Sequence, residues 1–264
     1  MTEPQASVVL FEVTDGVATV TLNRPDQLNT INGALGEGLM EALLQVRDRD
    51  DIRVAVLTGA GRAFCAGADL RSRPGGPAAA AGPSSVFRAA SVPSFFDFDP
   101  GKPIIGAING FCLGGGFEIA LICDLLIASE AAQFGLPEIT LGFFPLAGGP
   151  VRLPRSIPRV LANDMLFTGE RIDAATALRF GIVSRVVAAE ELQSTAQAMA
   201  MRIAGFAPVA VRAMRELVHR QGDLPESDAL RLAGTMRYIV GQTDDAKEGP
   251  RAFSEKRLPV FKGE

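Results

Sequence analysis

Two carboxylates carry the most chemistry in this sequence. Glu118 follows almost directly on three consecutive glycines, Gly114, Gly115 and Gly116, and Glu138 stands further on in Gly135-Leu136-Pro137-Glu138-Ile139. Before the glycines runs Lys102-Pro103-Ile104-Ile105-Gly106-Ala107-Ile108-Asn109-Gly110, which has the look of a buried strand entering a turn. After them comes an apolar run from Phe117 to Ala128, read as a helix from its start. A strand, a glycine turn and a helix start form an anion site, because N–H groups without intrahelical partners point out of the helix end and its dipole favours negative charge. Glycine lets that backbone come close to a ligand. Carboxylates bracketing such donors are laid out for acid/base work on a carbonyl compound: the amides take up charge on oxygen and the carboxylates move protons. Glu118 has only apolar neighbours, so a half-buried site is expected, with desolvation raising its pKa and the helix start lowering it.

Several other chemistries lack their parts. The single histidine, His219, falls late in a polar-faced helix and reads as a solvated surface residue, and no Gly-x-Ser-x-Gly elbow exists for a serine hydrolase. Cys65, Cys112 and Cys123 are dispersed, with no Cys-x-x-Cys pair for zinc, and read as reduced core residues of a cytosolic protein. Gly59-Ala60-Gly61 follows a strand, but the third glycine of a dinucleotide fingerprint is replaced by Phe64 and a loop follows. A net charge of −4 and a pI near 5.3 argue against nucleic acid as a partner. No apolar run approaches the roughly 18–20 residues of a membrane span, and Met1 to Ser7 shows no signal-peptide pattern, so a cytoplasmic location is expected.

The elements that must position the carboxylates follow from the pattern along the chain. Val8 to Val13 and Val17 to Asn23 alternate around Asp15-Gly16, a hairpin with suitable turn chemistry. Asn32 is placed to cap a helix running to about Arg49, with Leu35, Leu39, Ala42, Leu43 and Val46 on one face. Val54 to Thr58 reads as a fully buried strand. Residues 71–100 shift in composition toward Pro, Gly, Ala and Ser, then gain Phe95, Phe96 and Phe98, which suits either a surface insertion or a lid over an apolar pocket. Leu146 to Pro150 makes a turn. Helices are expected at Val160 to Phe167, Asp173 to Phe180, about Glu190 to Ile203, Pro208 to Gln221, Ser227 to Val240 and Asp244 to Glu255, with a strand at Ile182 to Val187. Periodicity alone gives an α/β chain that ends mostly helical.

The central motifs also carry a resemblance. Asn109 to Ala120, containing Gly114-Gly115-Gly116-Phe117-Glu118, and Gln133 to Glu138 followed by Leu141-Gly142, resemble the signature of the crotonase (enoyl-CoA hydratase/isomerase) superfamily. Ala63-Phe64-Cys65-Ala66-Gly67-Ala68-Asp69-Leu70, Leu22-Asn23-Arg24-Pro25 to Asn29, and Glu248 to Arg257 are similar too, in family order across nearly the whole chain. The resemblance implies a spiral of repeated ββα units with a C-terminal helical segment. It divides the chain into a core with the acyl-CoA site at 1–200 and a trimerisation segment at 201–264.

It further implies an enoyl-CoA hydratase with no cofactor beyond its acyl-CoA thioester substrate. Glu118 would activate water and Glu138 would exchange a proton at the α carbon. The N–H groups of Ala68 and Gly115 would form the oxyanion hole, and Gly114 would be among the residues that bind the CoA substrate. Arg24, Gln27 and Leu28, with Ala66, Asp69, Leu70 and Arg71, match positions that flank CoA. Arg24 and Arg71 have the guanidinium forks that suit phosphates. Phe261 and Lys262 belong to a tail that packs near a neighbouring subunit's site, so the implied assembly is a homotrimer or a dimer of trimers. Asn163-Asp164-Met165 and the Glu248 to Lys262 tail also resemble carnitinyl-CoA dehydratases, a second reading. A CoA-binding member without activity is the third. Departures at Phe117, at Phe143-Phe144-Pro145-Leu146 and in the insertion from Arg71 bear on acyl shape rather than reaction class.

Overall fold

The alternating start of the chain forms the hairpin β1 (Val9–Thr14) and β2 (Val17–Leu22), joined through Asp15 and Gly16 at φ 50° and 80°. Two positive φ values in a two-residue loop match the right-handed twist of the strands. The computed structural model describes residues 7–72 and 95–264. Most of the composition shift expected at 71–100 therefore lies outside the described residues. Helix α1 (Gly33–Asp48) follows, with the Asn32 side chain accepting from the Leu35 N–H as its cap.

From here the chain repeats one manoeuvre. A long buried strand enters one sheet, and a short strand then steps into a second sheet. β3 (Val54–Gly59) is followed by β4 (Ala63–Cys65), β5 (Ile104–Ile108) by β6 (Phe111–Leu113), and β7 (Leu125–Ser129) by β8 (Gln133–Gly135). With β9 (Ile172–Asp173) and β10 (Arg185–Val187) the result is a six-stranded sheet ordered β1-β2-β3-β5-β7-β10 and a four-stranded sheet ordered β4-β6-β8-β9. β2, β3, β5, β7 and β10 pair in parallel, as do β4, β6 and β8. Helices close the turns of the spiral: α2 (Gly115–Ala120) after β6, and a 3-10 turn (Pro137–Leu141) with α3 (Gly149–Ser156) after β8.

Burial on both faces explains why β3 reads as an unbroken apolar run. Val54 and Val56 face a cluster with Ile105, Ile127 and the alanine stripe of α6 (Leu192–Ala204), whereas Ala55 and Leu57 join the cluster under α1. The remaining helices are α4 (Arg159–Thr168), α5 (Ala174–Phe180), α7 (Pro208–Gln221), α8 (Glu226–Gly241) and α9 (Asp245–Ser254).

Four expectations change. The run from Phe117 to Ala128 is helical only to Ala120; the chain turns through Asp124 and the rest is β7. An apolar run buried on all sides has no face to distinguish helix from strand, and here Asp124 breaks it. Its N–H donates to Ile104 O at 2.9 Å and its Oδ2 accepts from the Ile104 N–H at 2.7 Å, which docks the turn on β5. The strand expected at Ile182 to Val187 begins only at Arg185, and α3 starts inside the turn expected at Leu146 to Pro150. His219 is exposed but not merely solvated, since its Nε2 lies 2.6 Å from Asp124 Oδ1, beside the buried Arg215 that bridges Asp124 and Asp99.

Asn29 is a hub beneath the site. It is fully buried at φ 55°, its side-chain amide donates to Ala60 O (2.9 Å) and Ala63 O (2.7 Å), and its Oδ1 accepts from the Arg24 N–H (2.8 Å). Truncation strands these backbone groups without partners. Asn29→Ala is expected to destabilise the protein by about 2–4 kcal/mol, read as a lowered urea midpoint, whereas Arg47→Ala at an exposed ion pair should shift it little.

Candidate active site

The glycine turn exists because nothing larger fits. A Cβ on Gly116 would lie 2.1 Å from Cys65 O, and one on Gly114, at φ 53°, would lie 2.6 Å from Glu138 Oε1. The first contact locks the start of α2 onto the end of β4. The second shows that the Glu138 carboxylate lies directly against the turn. The loop after β4 is equally close: a methyl group added at Gly67 would stand 3.4 Å from the Gly115 nitrogen, and one at Gly115 would stand 3.9 Å from the Ala68 nitrogen. The Ala66 N–H donates to Leu28 O, and Ile31 bridges residues 67 and 69, so the turn at 66–69 is held against residues 28–31. The N–H groups of Ala68 and Gly115 make no hydrogen bond among the described residues.

Glu118 is buried more deeply than its sequence neighbours suggested, at 2% exposed. Its Oε1 accepts two backbone N–H bonds, from Ala147 at 2.9 Å and Gly149 at 2.8 Å. Burial pushes its carboxyl above the ordinary range, against the pull of those two amides and of the nearby Arg152 guanidinium. Glu138 reaches in from the 3-10 turn after β8. Burial pushes it up to about 7, its own backbone N–H opposes this, and the charge of Glu118 adds to the rise. Its Oε2 is buried with no hydrogen-bond partner among the described residues. An orphaned buried carboxylate oxygen is costly. Both carboxyls are thus raised, chiefly by burial, and they lie beside two main-chain donors without partners among the described residues.

The other expected positions divide. Arg24 is committed to Asp69 (2.9 Å) and to Thr30 O, with both ion-pair side chains 13% exposed. Its guanidinium therefore ties the two flanking motifs together rather than standing free. Gln27, Leu70 and Arg71 lie exposed at the rim, and the Arg71 N–H donates to Asp69 Oδ1. Leu28 and Ala66 are half-buried and bonded to each other through the backbone. Phe261 and Lys262 are not brought to the glutamates of this chain. Phe261 O accepts from Arg53, just before β3 begins, and the Lys262 N–H donates to Asp245. Phe95 is buried, and Phe96 and Phe98 pack against the core. The Cys65 thiol, near the glycine turns, is pushed up to about 12 by burial, which leaves it a poor nucleophile.

Sequence reasoning missed the amides of Ala147 and Gly149 and the arginine after them. Gly148-Gly149-Pro150 read only as a turn. Two glycines directly before a proline-started helix were the available hint of a second set of backbone donors.

Strands that step between two sheets bring two glycine turns and two carboxylates together, an α/β frame with acids beside main-chain donors. The family model for enoyl-CoA hydratase/isomerase matches residues 12–264, and the chain belongs to that family. It is 42% identical over 253 residues to the carnitinyl-CoA dehydratase of Proteus mirabilis, covering 94% of this chain and 95% of that one. It is 40% identical over 254 residues to the enzyme of the same name from Salmonella typhi, with the same coverage. Among solved structures, an enoyl-CoA hydratase from Bacillus anthracis superposes with a TM-score of 0.88 at 38% identity, covering 97% of this chain and all of that one. One from Mycobacterium tuberculosis superposes at 0.89 with 31% identity, covering 98% of this chain and 100% of that one.

The raised Glu138 pKa has a consequence for stability. A carboxyl whose folded pKa exceeds its unfolded value stabilises fully below the unfolded pKa, and that contribution is lost as pH rises through the folded value near 7. Glu138→Gln removes the charge at every pH. At pH 8 it is expected to raise the unfolding midpoint by on the order of 1–3 kcal/mol, and near pH 4.5 to leave it close to wild type, both read by denaturant titration.

Proposed function

We propose that this chain catalyses the reversible addition of water across the 2,3 double bond of an enoyl-CoA thioester. The observation that carries the reading is that buried Glu118, and Glu138 set against the glycine turn, lie beside the amides of Ala68 and Gly115, which have no partner among the described residues. The thioester oxygen accepts from those two amides, which stabilise the negative charge as the enolate forms. Glu118, with Oε1 held by Ala147 and Gly149, accepts a proton from water through its other oxygen while the water oxygen bonds to the β carbon. Glu138, protonated near neutral pH, delivers its proton to the α carbon. Protons then exchange between the pair and solvent to restore the starting state, and the reverse sequence dehydrates a 3-hydroxyacyl-CoA. Two carboxylates with raised, interacting pKa values suit this division into base and acid.

A second reading is favoured by the two relatives at 40% and 42% identity, whose names give carnitinyl-CoA as the substrate. The chemistry at the glutamates is unchanged, but the acyl end carries a trimethylammonium, which needs aromatic faces or an acid. The chain has no Trp and one Tyr, and Tyr238 lies exposed on α8. Any cage must therefore come from phenylalanines, of which Phe143 and Phe144 follow Glu138 most closely. The proposed assembly is a homotrimer or a dimer of trimers. Its support is that α8 buries none of its own residues and exposes Leu230, Tyr238 and Ile239.

Crotonyl-CoA and longer enoyl-CoA thioesters, offered to the purified protein, should lose their enoyl absorbance. Glu118→Gln and Glu138→Gln should each lower kcat by about 10²–10⁴-fold. Turnover confined to crotonobetainyl-CoA or carnitinyl-CoA would move the assignment to the second reading, and none with either class would defeat both. Sedimentation velocity tests the assembly, and a monomer at micromolar concentration would reject it.

A further inference from the structure

We infer that Arg152 is a positioning residue that holds the two amides gripping Glu118 and ties them to the phenylalanine segment at 95–98; this rests on the hydratase reading above. Arg152 lies in the first turn of α3, only three residues after Gly149. Its Nη1 donates to Ala147 O at 2.6 Å, and its Nη2 donates to Phe96 O at 2.7 Å and approaches Asp97 Oδ1 at 3.6 Å. The peptide whose carbonyl it holds begins at the same residue whose N–H donates to Glu118 Oε1.

The loop is otherwise fixed by main-chain bonds: Gly148 O accepts from the N–H groups of Val151 and Arg152, and the Ala147 and Gly149 N–H groups reach Glu118. Gly148 is at φ 97° and caps α3 without a side chain, and a Cβ there would overlap the Arg152 guanidinium, 2.3 Å from Nη1. The guanidinium thus occupies the space a side chain would fill. It clamps a glycine loop that is also tied to the catalytic pair through the Glu118 carboxylate. Phe96 in turn stacks on the buried Phe95, with ring centroids 4.1 Å apart, and Phe95 lies against Gly36 of α1. One planar cation with several donors links α3, the amide loop and the aromatic segment, a role its fixed fork suits and a flexible ammonium fills only in part.

Without the clamp, Glu118 keeps its acid but loses its fixed aim at the water. Misplacement of a reacting group by about 1 Å costs about 10²-fold in rate. Arg152→Gln is expected to lower kcat by about 10²-fold with KM little changed, and Arg152→Lys to recover part of that loss. Hydrogen exchange of the amides at 147–149 should quicken in Arg152→Gln, while the α2 amides keep their protection. Arg155→Gln, on the same helix at an exposed pair with Asp223, should behave as wild type. An Arg152→Gln enzyme with wild-type kcat, or with unchanged exchange at 147–149, overturns the inference, as does a loss that Lys does not relieve. If the wild-type chain turns over no acyl-CoA at all, the hydratase reading falls, and the exchange measurement alone decides whether Arg152 holds the loop.

Discussion

A carboxylate buried at the start of a short helix must be met by donors, and how Glu118 is met governs much of the surrounding structure. Its Oε1 takes two main-chain N–H bonds from a loop far along the sequence. That loop can arrive because α3, which it opens, packs on α2, and because residues 148 and 149 lack side chains: a Cβ at 148 would meet the Arg152 guanidinium and one at 149 would meet Leu136 and Glu118 itself. The 3-10 turn after β8, just before that loop in the chain, delivers Glu138. Satisfying one buried acid therefore places the second within electrostatic reach of it, with one oxygen of the second left unsatisfied. Desolvation is the larger effect at both groups. The outcome is two carboxyls held above their ordinary range, Glu138 at about 7, a condition set by burial rather than by any neighbouring cation.

The two-sheet spiral is the frame that makes this possible. Each repeat sends a strand into the large sheet and a short strand into the small one, so the turns that follow β4 and β6 come out side by side. Gly116 packed against Cys65 O, and Gly67 packed near the Gly115 nitrogen, are the contacts that set their spacing. Asn29 and the Arg24–Asp69 pair then bind the first segment of the chain to the β3–β4 connection and to the turn after β4. Residues that resembled CoA-flanking positions thus also carry structural weight.

Much of this was legible beforehand, for physical reasons. The hairpin announced itself through Asp15-Gly16, α1 through its cap and apolar stripe, and the site through glycines placed next to a carboxylate. What stayed hidden depended on distant packing. The helix after the glycines stops at Ala120 because Asp124 docks on β5, and nothing local in an apolar run records that. Glu118 looked half-buried because its donors come from 147 and 149. His219 looked solvated because Asp124, its partner, is remote in sequence. Phe261 and Lys262 matched a family tail, yet within one chain they lie at the end of the sheet where β3 begins.

The groups proposed to carry the developing charge are stretches of polypeptide path, with no identity of their own to lose. On the proposed reading, replacing the side chain at residue 68 changes what surrounds an acyl group while the amides stay where the glycine contacts fix them. A scaffold of this kind separates tolerance from invention. If the proposed roles hold, drift in side chains can search for new acyl groups while the electrophile-activating part is inherited whole with the fold.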